Sequence, residues 1–165
     1  LGATAVADDA TYVVASDGSG DHRSIADAVR QASDGDTIVI LSEGNVQHKI
    51  RLQGIDAPER GQAYGTKSKE HLSDLVAGRF VVVEYDKRDR YGRIVGKVLV
   101  GGEDDCLEQI SAGYAWHYKK YQNEQIETDQ QLYSEAEIEA RDAKRGLWQD
   151  PHAIPPWEYR AARRK

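Results

Sequence analysis

A single α+β domain built on a small twisted or closed sheet is the fold class this sequence predicts, on three observations. The chain is 165 residues long, within the roughly 100–200 residues of one domain and enough to bury a core without disulfides. Strand-like runs and amphipathic helices succeed one another without the strand–helix–strand rhythm of a parallel sheet. No apolar run approaches the roughly 18 residues of a membrane helix. The one cysteine, Cys106, rules out an internal disulfide and a cysteine-based zinc cluster.

The elements follow in chain order. Ala5-Val6-Ala7 before Asp8 has the small-residue pattern that a signal peptidase cuts, so residues 1–7 are expected to be a signal remnant of a secreted or periplasmic bacterial protein. Tyr12–Ala15 predicts a strand, and Asp17-Gly-Ser-Gly-Asp21 a turn. Ile25, Ala28, Val29 and Ala32 recur at i, i+3, i+4 and i+7 behind Ser24, which predicts a helix over 25–32. Asp34-Gly35 turns the chain into a strand at Thr37–Leu41, and Glu43-Gly44-Asn45 into another through Ile50-Arg51-Leu52.

A helix is predicted over Thr66–Ala77, with Leu72, Leu75 and Val76 inward and Gly78 as its stop. Phe80–Tyr85 and Ile94–Val100 are strands joined across the charged loop 86–93. A short helix over Asp105–Ala112 is closed by Gly113. A long one over about 124–145 places Ile126, Leu132, Ala136, Ala140 and Ala143 on one face, and Gly146 ends it.

The net charge is −6, at first sight unsuited to a phosphate-rich partner, but the charge is unevenly spread. Residues 1–37 hold seven acids against two bases, whereas Lys87, Arg88, Arg90, Arg93 and Lys97 crowd around Asp89 alone. Acidic balance with local basic segments fits a site that holds a metal cation and a phosphate together.

Two segments carry that chemistry: Asp34-Gly-Asp36-Thr37 and Arg51-Leu-Gln-Gly-Ile-Asp56-Ala-Pro58-Glu59-Arg60. Arg51 and Asp56 are an odd number of residues apart and would face opposite ways on a straight strand. Gly54 must therefore bend or bulge the chain if both are to meet one ligand. Asp36 and Asp56 are hard carboxylate ligands suited to Ca²⁺ or Mg²⁺ with open positions for water and substrate. Glu59 is placed to act as a base, and Arg51 to donate two hydrogen bonds to a phosphate. A second arginine follows in Asp89-Arg90-Tyr91-Gly92-Arg93, where glycine lets the loop tuck closely. Two arginines, one metal and one carboxylate base are a sufficient kit for phosphodiester hydrolysis.

The chain resembles the staphylococcal-nuclease-like (thermonuclease) family over about residues 34–160. The resemblance is carried by Asp34-Gly-Asp-Thr-Ile, Ile50-Arg-Leu-x-Gly-Ile-Asp-Ala-Pro-Glu59, Asp89-x-Tyr-Gly-Arg93, Gly113-Tyr-Ala-Trp116, Arg145-Gly-Leu-Trp148 and Pro155-Pro-Trp-Glu-Tyr-Arg160, in the family's order. It implies an OB-fold five-stranded β-barrel with three flanking helices over 34–160, a basic tail at 161–165 and an extension at 1–33. It also implies Ca²⁺ held by Asp36, Asp56 and the backbone carbonyl of Ala57, with Asp34 and Thr37 behind them. Glu59 would be the base, Arg51 and Arg93 the transition-state-stabilising pair, and Tyr91, Arg90 and Tyr121 the substrate contacts. The activity implied is Ca²⁺-dependent cleavage of DNA and RNA by a monomer, with little sequence preference because phosphates carry no sequence information. Single strands should be cut best, since stacking on tyrosine needs exposed bases.

The predicted helix at 25–32 departs from the family's pattern, in which a strand runs directly into Asp-Gly-Asp-Thr. Residues 12–41 are also similar to the opening of the β-helix of pectin esterases, where the same residues have no metal role. On that reading Tyr12–Ala15 stands in for the first strand. A catalytically weak nucleic-acid or protein binding module is the alternative function; loss of an arginine, an acidic ligand or Glu59 would mark it, and all five are present. A carbohydrate-active fragment would need further coils, and nothing after residue 45 continues one. The five histidines share no metal-ligand spacing and are assigned structural or surface roles. Trp116, Trp148 and Trp157 are packing anchors, Pro155-Pro-Trp157 straps the tail to the body, and Arg160–Lys165 is a free basic end.

Overall fold

The computed structural model describes residues 23–42 and 46–164. The signal remnant at 1–7, the strand at 12–15 and the turn at 43–45 lie outside them. β1 (Arg23–Asp34) and β2 (Thr37–Ser42) form an antiparallel hairpin whose turn is Gly35-Asp36. On its other edge β1 pairs with β5 (Phe80–Arg88), from Arg23 opposite Tyr85 to Ala28 opposite Phe80.

The stretch 25–32 is thus strand, not helix. Two register shifts, between Val29 and Gln31 and between Ala32 and Asp34, interrupt the alternation that marks a strand, and the residues then fall by chance into helical spacing. An eight-residue helix is marginal on its own, whereas β1 finds a partner strand on each edge. A strand therefore does run directly into Asp34-Gly-Asp36, and residues from Arg23 onward belong to the sheet.

The strand order is β3-β2-β1-β5-β6-β7, with β3 at Val46–Leu52, β6 at Ile94–Val100 and β7 at Glu103–Asp104. A short parallel pairing of Ile50–Leu52 with Ile94–Gly96 brings β3 back against β6, so the sheet curls in the OB manner. The two-residue strands β4 (Ile55–Asp56) and β8 (Trp116–His117) form a separate ladder with Asp56 opposite Trp116. Alternate residues of the curled sheet, among them Ile38, Ile40, Ile50, Leu52, Val81 and Val83, point into one core.

α1 (Gly65–Val76) closes that core with Leu72 and Val76, and α2 (Asp105–Ser111) with Cys106 and Ile110. α3 (Glu127–Asp142) is shorter than the predicted 124–145, because Glu124 closes a 3₁₀ turn over 119–124 and the helix is capped at Ala143, with Lys144 at φ +52°. Its inward face agrees at Ala136 and Ala140 but differs elsewhere: Ile126 and Leu132 are exposed, while Tyr133 and Glu137 are buried. Polar partners choose that face. The Tyr133 hydroxyl donates to Asp104 Oδ2 at 2.7 Å, and Glu137 Oε1 accepts the His117 N–H at 3.1 Å.

The helix stops Gly113 and Gly146 pack backbone to backbone. The Leu147 N–H donates to the Gly113 carbonyl at 2.8 Å, and a Cβ on Gly113 would lie 2.3 Å from the Arg145 carbonyl oxygen. A fourth helix, α4 (Pro156–Ala162), follows where three were implied and a strap was expected; Pro156 at its first position suits a helix start. No helix among the described residues is long and apolar enough to cross a membrane.

Candidate active site

The β1–β2 turn fixes Asp36. Gly35 is crowded under α1, since a Cβ there would lie 1.9 Å from Ser68 Oγ. The buried amide of Gln109 braces the turn by donating to the Gly35 carbonyl at 2.6 Å. The Asp36 carboxylate accepts Thr37 Oγ1 at 3.0 Å on Oδ1 and the Ala57 N–H at 3.1 Å on Oδ2. Ala57 and Thr37 therefore stand beside it.

Gly54, at φ +75°, makes the bend between β3 and β4. It brings Arg51 Nη2 to 3.0 Å from Asp36 Oδ2 and 3.2 Å from Asp56 Oδ1, so the two aspartates converge on one nitrogen. Arg51 Nη1 is anchored on the carbonyls of Leu52 and Ile55, both at 3.0 Å. Burial pushes the Asp56 carboxyl up against the pull of its arginine partners. Partial burial, with the charges of Asp36 and Glu59, does the same to Asp34.

Pro58 ends β4, and Glu59 follows on the loop with its side chain 39% exposed. Its backbone N–H donates to Gln62 Oε1 at 3.0 Å, which shapes the loop.

Across the opening, Asp89 organises the β5–β6 hairpin. Its Oδ1 accepts the N–H groups of Tyr91 and Arg93, and its Oδ2 accepts Arg93 Nε at 2.7 Å. Burial works against the Asp89 charge, but these bonds outweigh it and hold the carboxyl below its ordinary value. Arg90 donates to the Tyr91 hydroxyl at 2.6 Å, and both Arg90 and Arg93 lie over the exposed Tyr91 ring. Tyr121 is partly exposed, with Lys120 over its ring.

All eleven residues singled out from the sequence line one open cleft of about 760 Å³. Arg51 joins Asp36 to Asp56 and Ala57 donates to Asp36, while Arg93 is engaged with Asp89 at the far wall. Among the described residues no group of three His, Cys, Asp or Glu side chains gathers as a metal site. Two carboxylates converging on a point already held by a cationic nitrogen are a hard oxygen set. They suit an ion such as Ca²⁺ that completes its shell with carbonyl, water and substrate oxygens.

One residue of the cleft was placed wrongly. Arg160, expected in a free basic end, donates Nη2 to Asp56 Oδ2 at 2.7 Å and Nη1 to Asp56 Oδ1 at 3.1 Å and Glu59 Oε1 at 2.6 Å. Hydrogen bonding by Asp56 pushes its pKa further up. No local spacing points to that contact; Trp157, three residues earlier, only shares the helical side of Arg160. Trp157 packs edge-on to Trp116 at 5.7 Å and stacks on Tyr118 at 5.4 Å. Trp116 and Trp148 pack against each other as expected, whereas Trp157, half-buried, packs on the cluster and also lines the cleft. His71 and His117 are held structurally by Gln109 and Gln125.

Comparison with known proteins points to one family. A model of the family described as staphylococcal nuclease homologue matches residues 49–150. An uncharacterized endonuclease of Escherichia coli is 41% identical over 128 residues, 77% of this chain and 79% of the relative. One from Haemophilus influenzae is 40% identical over 132 residues, covering 80% and 71%. A micrococcal nuclease of Shigella flexneri is 40% identical over 138 residues, covering 78% and 76%. The chain belongs to the staphylococcal nuclease homologue family, and by that membership it is a nuclease, a phosphodiester hydrolase.

Proposed function

We propose that this nuclease hydrolyses DNA and RNA in a Ca²⁺-dependent reaction with little sequence preference. The observation that carries the reading is the convergence of Asp36 and Asp56 on one nitrogen of Arg51 at the floor of a cleft that also holds Glu59, Arg93 and three tyrosines. Asp36, Asp56 and the Ala57 carbonyl would hold the ion, which when bound polarises a phosphoryl oxygen and acidifies water.

The chain's own groups do the rest. Glu59 accepts the proton of a water attacking phosphorus, and the phosphorus–oxygen bond to the leaving nucleotide breaks in line. Arg51, anchored on two carbonyls, and Arg93, oriented by Asp89, offer fixed donors to the negative charge that builds on the equatorial oxygens. Preorganised donors lower the barrier because they need not rearrange as that charge develops. Tyr91 and Tyr121 offer rings to unstacked bases, which favours single strands. The basic groups on this wall, Lys87, Arg90 and Lys120 among them, match a phosphate chain despite the acidic total. We place the protein as a monomer acting outside the cytoplasm of a bacterium.

The test is hydrolysis of single-stranded DNA and RNA by the purified chain, with Ca²⁺ and with chelator, beside an Asp56→Ala control. Calcium-dependent cutting that the substitution abolishes is expected. A folded chain that binds nucleic acid and cuts nothing would establish the binding-module alternative instead.

A further inference from the structure

Two guanidinium groups meet the buried Asp56 carboxylate, and they are held differently. Arg51 is tied to the carbonyls of Leu52 and Ile55, and its side chain is 14% exposed. Arg160 reaches in from the short helix α4, its side chain is 31% exposed, and its partners are carboxylates. Its Nη1 touches Asp56 Oδ1 and Glu59 Oε1 at once.

We propose that Arg160 is a positioning residue of the nuclease reaction, pinning Glu59 beside Asp56 in the free enzyme and competing with a divalent cation for the Asp56 carboxylate. The Glu59 half rests on the hydrolytic reading above; the competition half rests on geometry alone. One nitrogen spanning both acids sets the position of Glu59, whose loop otherwise leaves the side chain half in water. Without that bridge two like charges face each other and Glu59 turns outward.

Asp56 Oδ1 accepts from Arg51 and Arg160, and Oδ2 from Arg160. A cation entering between Asp36 and Asp56 must displace a donor, and the anchored Arg51 is the harder one to move. Arg160 gives way on Asp56 and keeps Glu59. Trp157, three residues earlier on α4 and packed on Trp116 and Tyr118, fixes the helix from which it does so.

The experiment compares wild type, Arg160→Ala, Arg160→Gln and Arg160→Lys, each checked for native circular dichroism. Calorimetric titration with CaCl₂ alone is paired with steady-state cutting of single-stranded DNA. Removing the competing charge should tighten Ca²⁺ binding by Arg160→Ala and Arg160→Gln about tenfold. Misplacing the base should lower kcat about 10²-fold with KM within about threefold. Added guanidinium should restore part of kcat in Arg160→Ala and weaken Ca²⁺ binding again. Lysine, a point charge that cannot span both acids, should restore the competition better than the rate.

A tail helix that only packs gives the opposite pair, with Ca²⁺ binding unchanged or weaker. That result, or an unaltered kcat in a folded variant, overturns the proposal. A wild type that cuts nothing while Arg160→Ala binds Ca²⁺ more tightly would sink the hydrolytic reading and the Glu59 half and leave the competition standing. A wild type that cuts and is matched by its variants would sink the Arg160 role alone.

Discussion

Asp56 and Trp116 are partners in the β4–β8 ladder, so the residue that centres the site and the residue that centres the aromatic cluster share one pair of strands. Trp116 is 6% exposed and carries Trp148 at 4.2 Å and Trp157 at 5.7 Å. Trp116→Ala should lower stability by about 3–5 kcal/mol, the usual result of emptying a buried tryptophan site. Because Arg160 hangs from the same cluster, Trp157→Ala should lower kcat while leaving the urea midpoint less affected than Trp116→Ala does. Urea unfolding and single-stranded DNA turnover on both variants check this; equal losses of stability would disconnect the two tryptophans.

Glu59→Gln keeps the shape of the side chain and removes its capacity to take a proton. Turnover should drop about 10²–10⁴-fold, while the dissociation constant for a non-cleavable oligonucleotide stays near that of wild type. Near-native turnover would remove Glu59 from the role of base.

Arg93 is oriented by both oxygens of Asp89, one directly and one through the hairpin backbone. Arg93→Ala should lower kcat by about 10²–10³ with a smaller change in KM. Asp89→Asn, which leaves the guanidinium present and poorly aimed, should fall between the two. An effect confined to KM in both variants would mean that Arg93 holds only the ground state.

That the named residues share one cleft was largely legible, because ten of the eleven lie in two short segments and one hairpin whose geometry is local; Tyr121, on the turn 119–124, is the exception. The demand that Gly54 bend the chain for Arg51 to meet Asp56 follows from strand parity alone, and φ +75° answers it. Three features were not legible. The strand Arg23–Asp34 is specified by its two partners and disguised by its register shifts. The inward face of α3 is set by Asp104 and the His117 backbone, which no periodicity reveals. Arg160 meets Asp56 across more than a hundred residues, through a tertiary packing that no local spacing encodes.

Gly54 gives a direct test of that parity argument. An alanine there would keep the unfavourable left-handed backbone and set its Cβ 2.3 Å from Gln125 Nε2. Gly54→Ala should lower stability by roughly 1–2 kcal/mol and weaken Ca²⁺ binding together with turnover, since Arg51 and Asp56 separate. Retained Ca²⁺ affinity in a destabilised protein would show that the bend can move without the site.

Asp105 makes stability depend on pH at a place remote from the cleft. It is 4% exposed at the start of α2, and its Oδ2 is buried without a hydrogen-bond partner among the described residues. Burial, reinforced by the charges of Asp104 and Glu108 and opposed by Arg79, pushes its carboxyl up from 3.8 to about 7. A raised acid favours the protonated fold. Its contribution is therefore whole below pH 3.8, shrinks as the unfolded chain ionises first, and is lost once pH passes about 7. Asp105→Asn removes the ionisation and keeps the shape. It should be more stable than wild type at pH 8 by on the order of 4 kcal/mol, the linkage value of a carboxyl raised from 3.8 to about 7. At pH 4 the two proteins should unfold at nearly the same urea concentration. A wild type and variant whose urea midpoints stay parallel from pH 4 to pH 8 would show that Asp105 is ionised in the fold throughout, with its Oδ2 satisfied in solution.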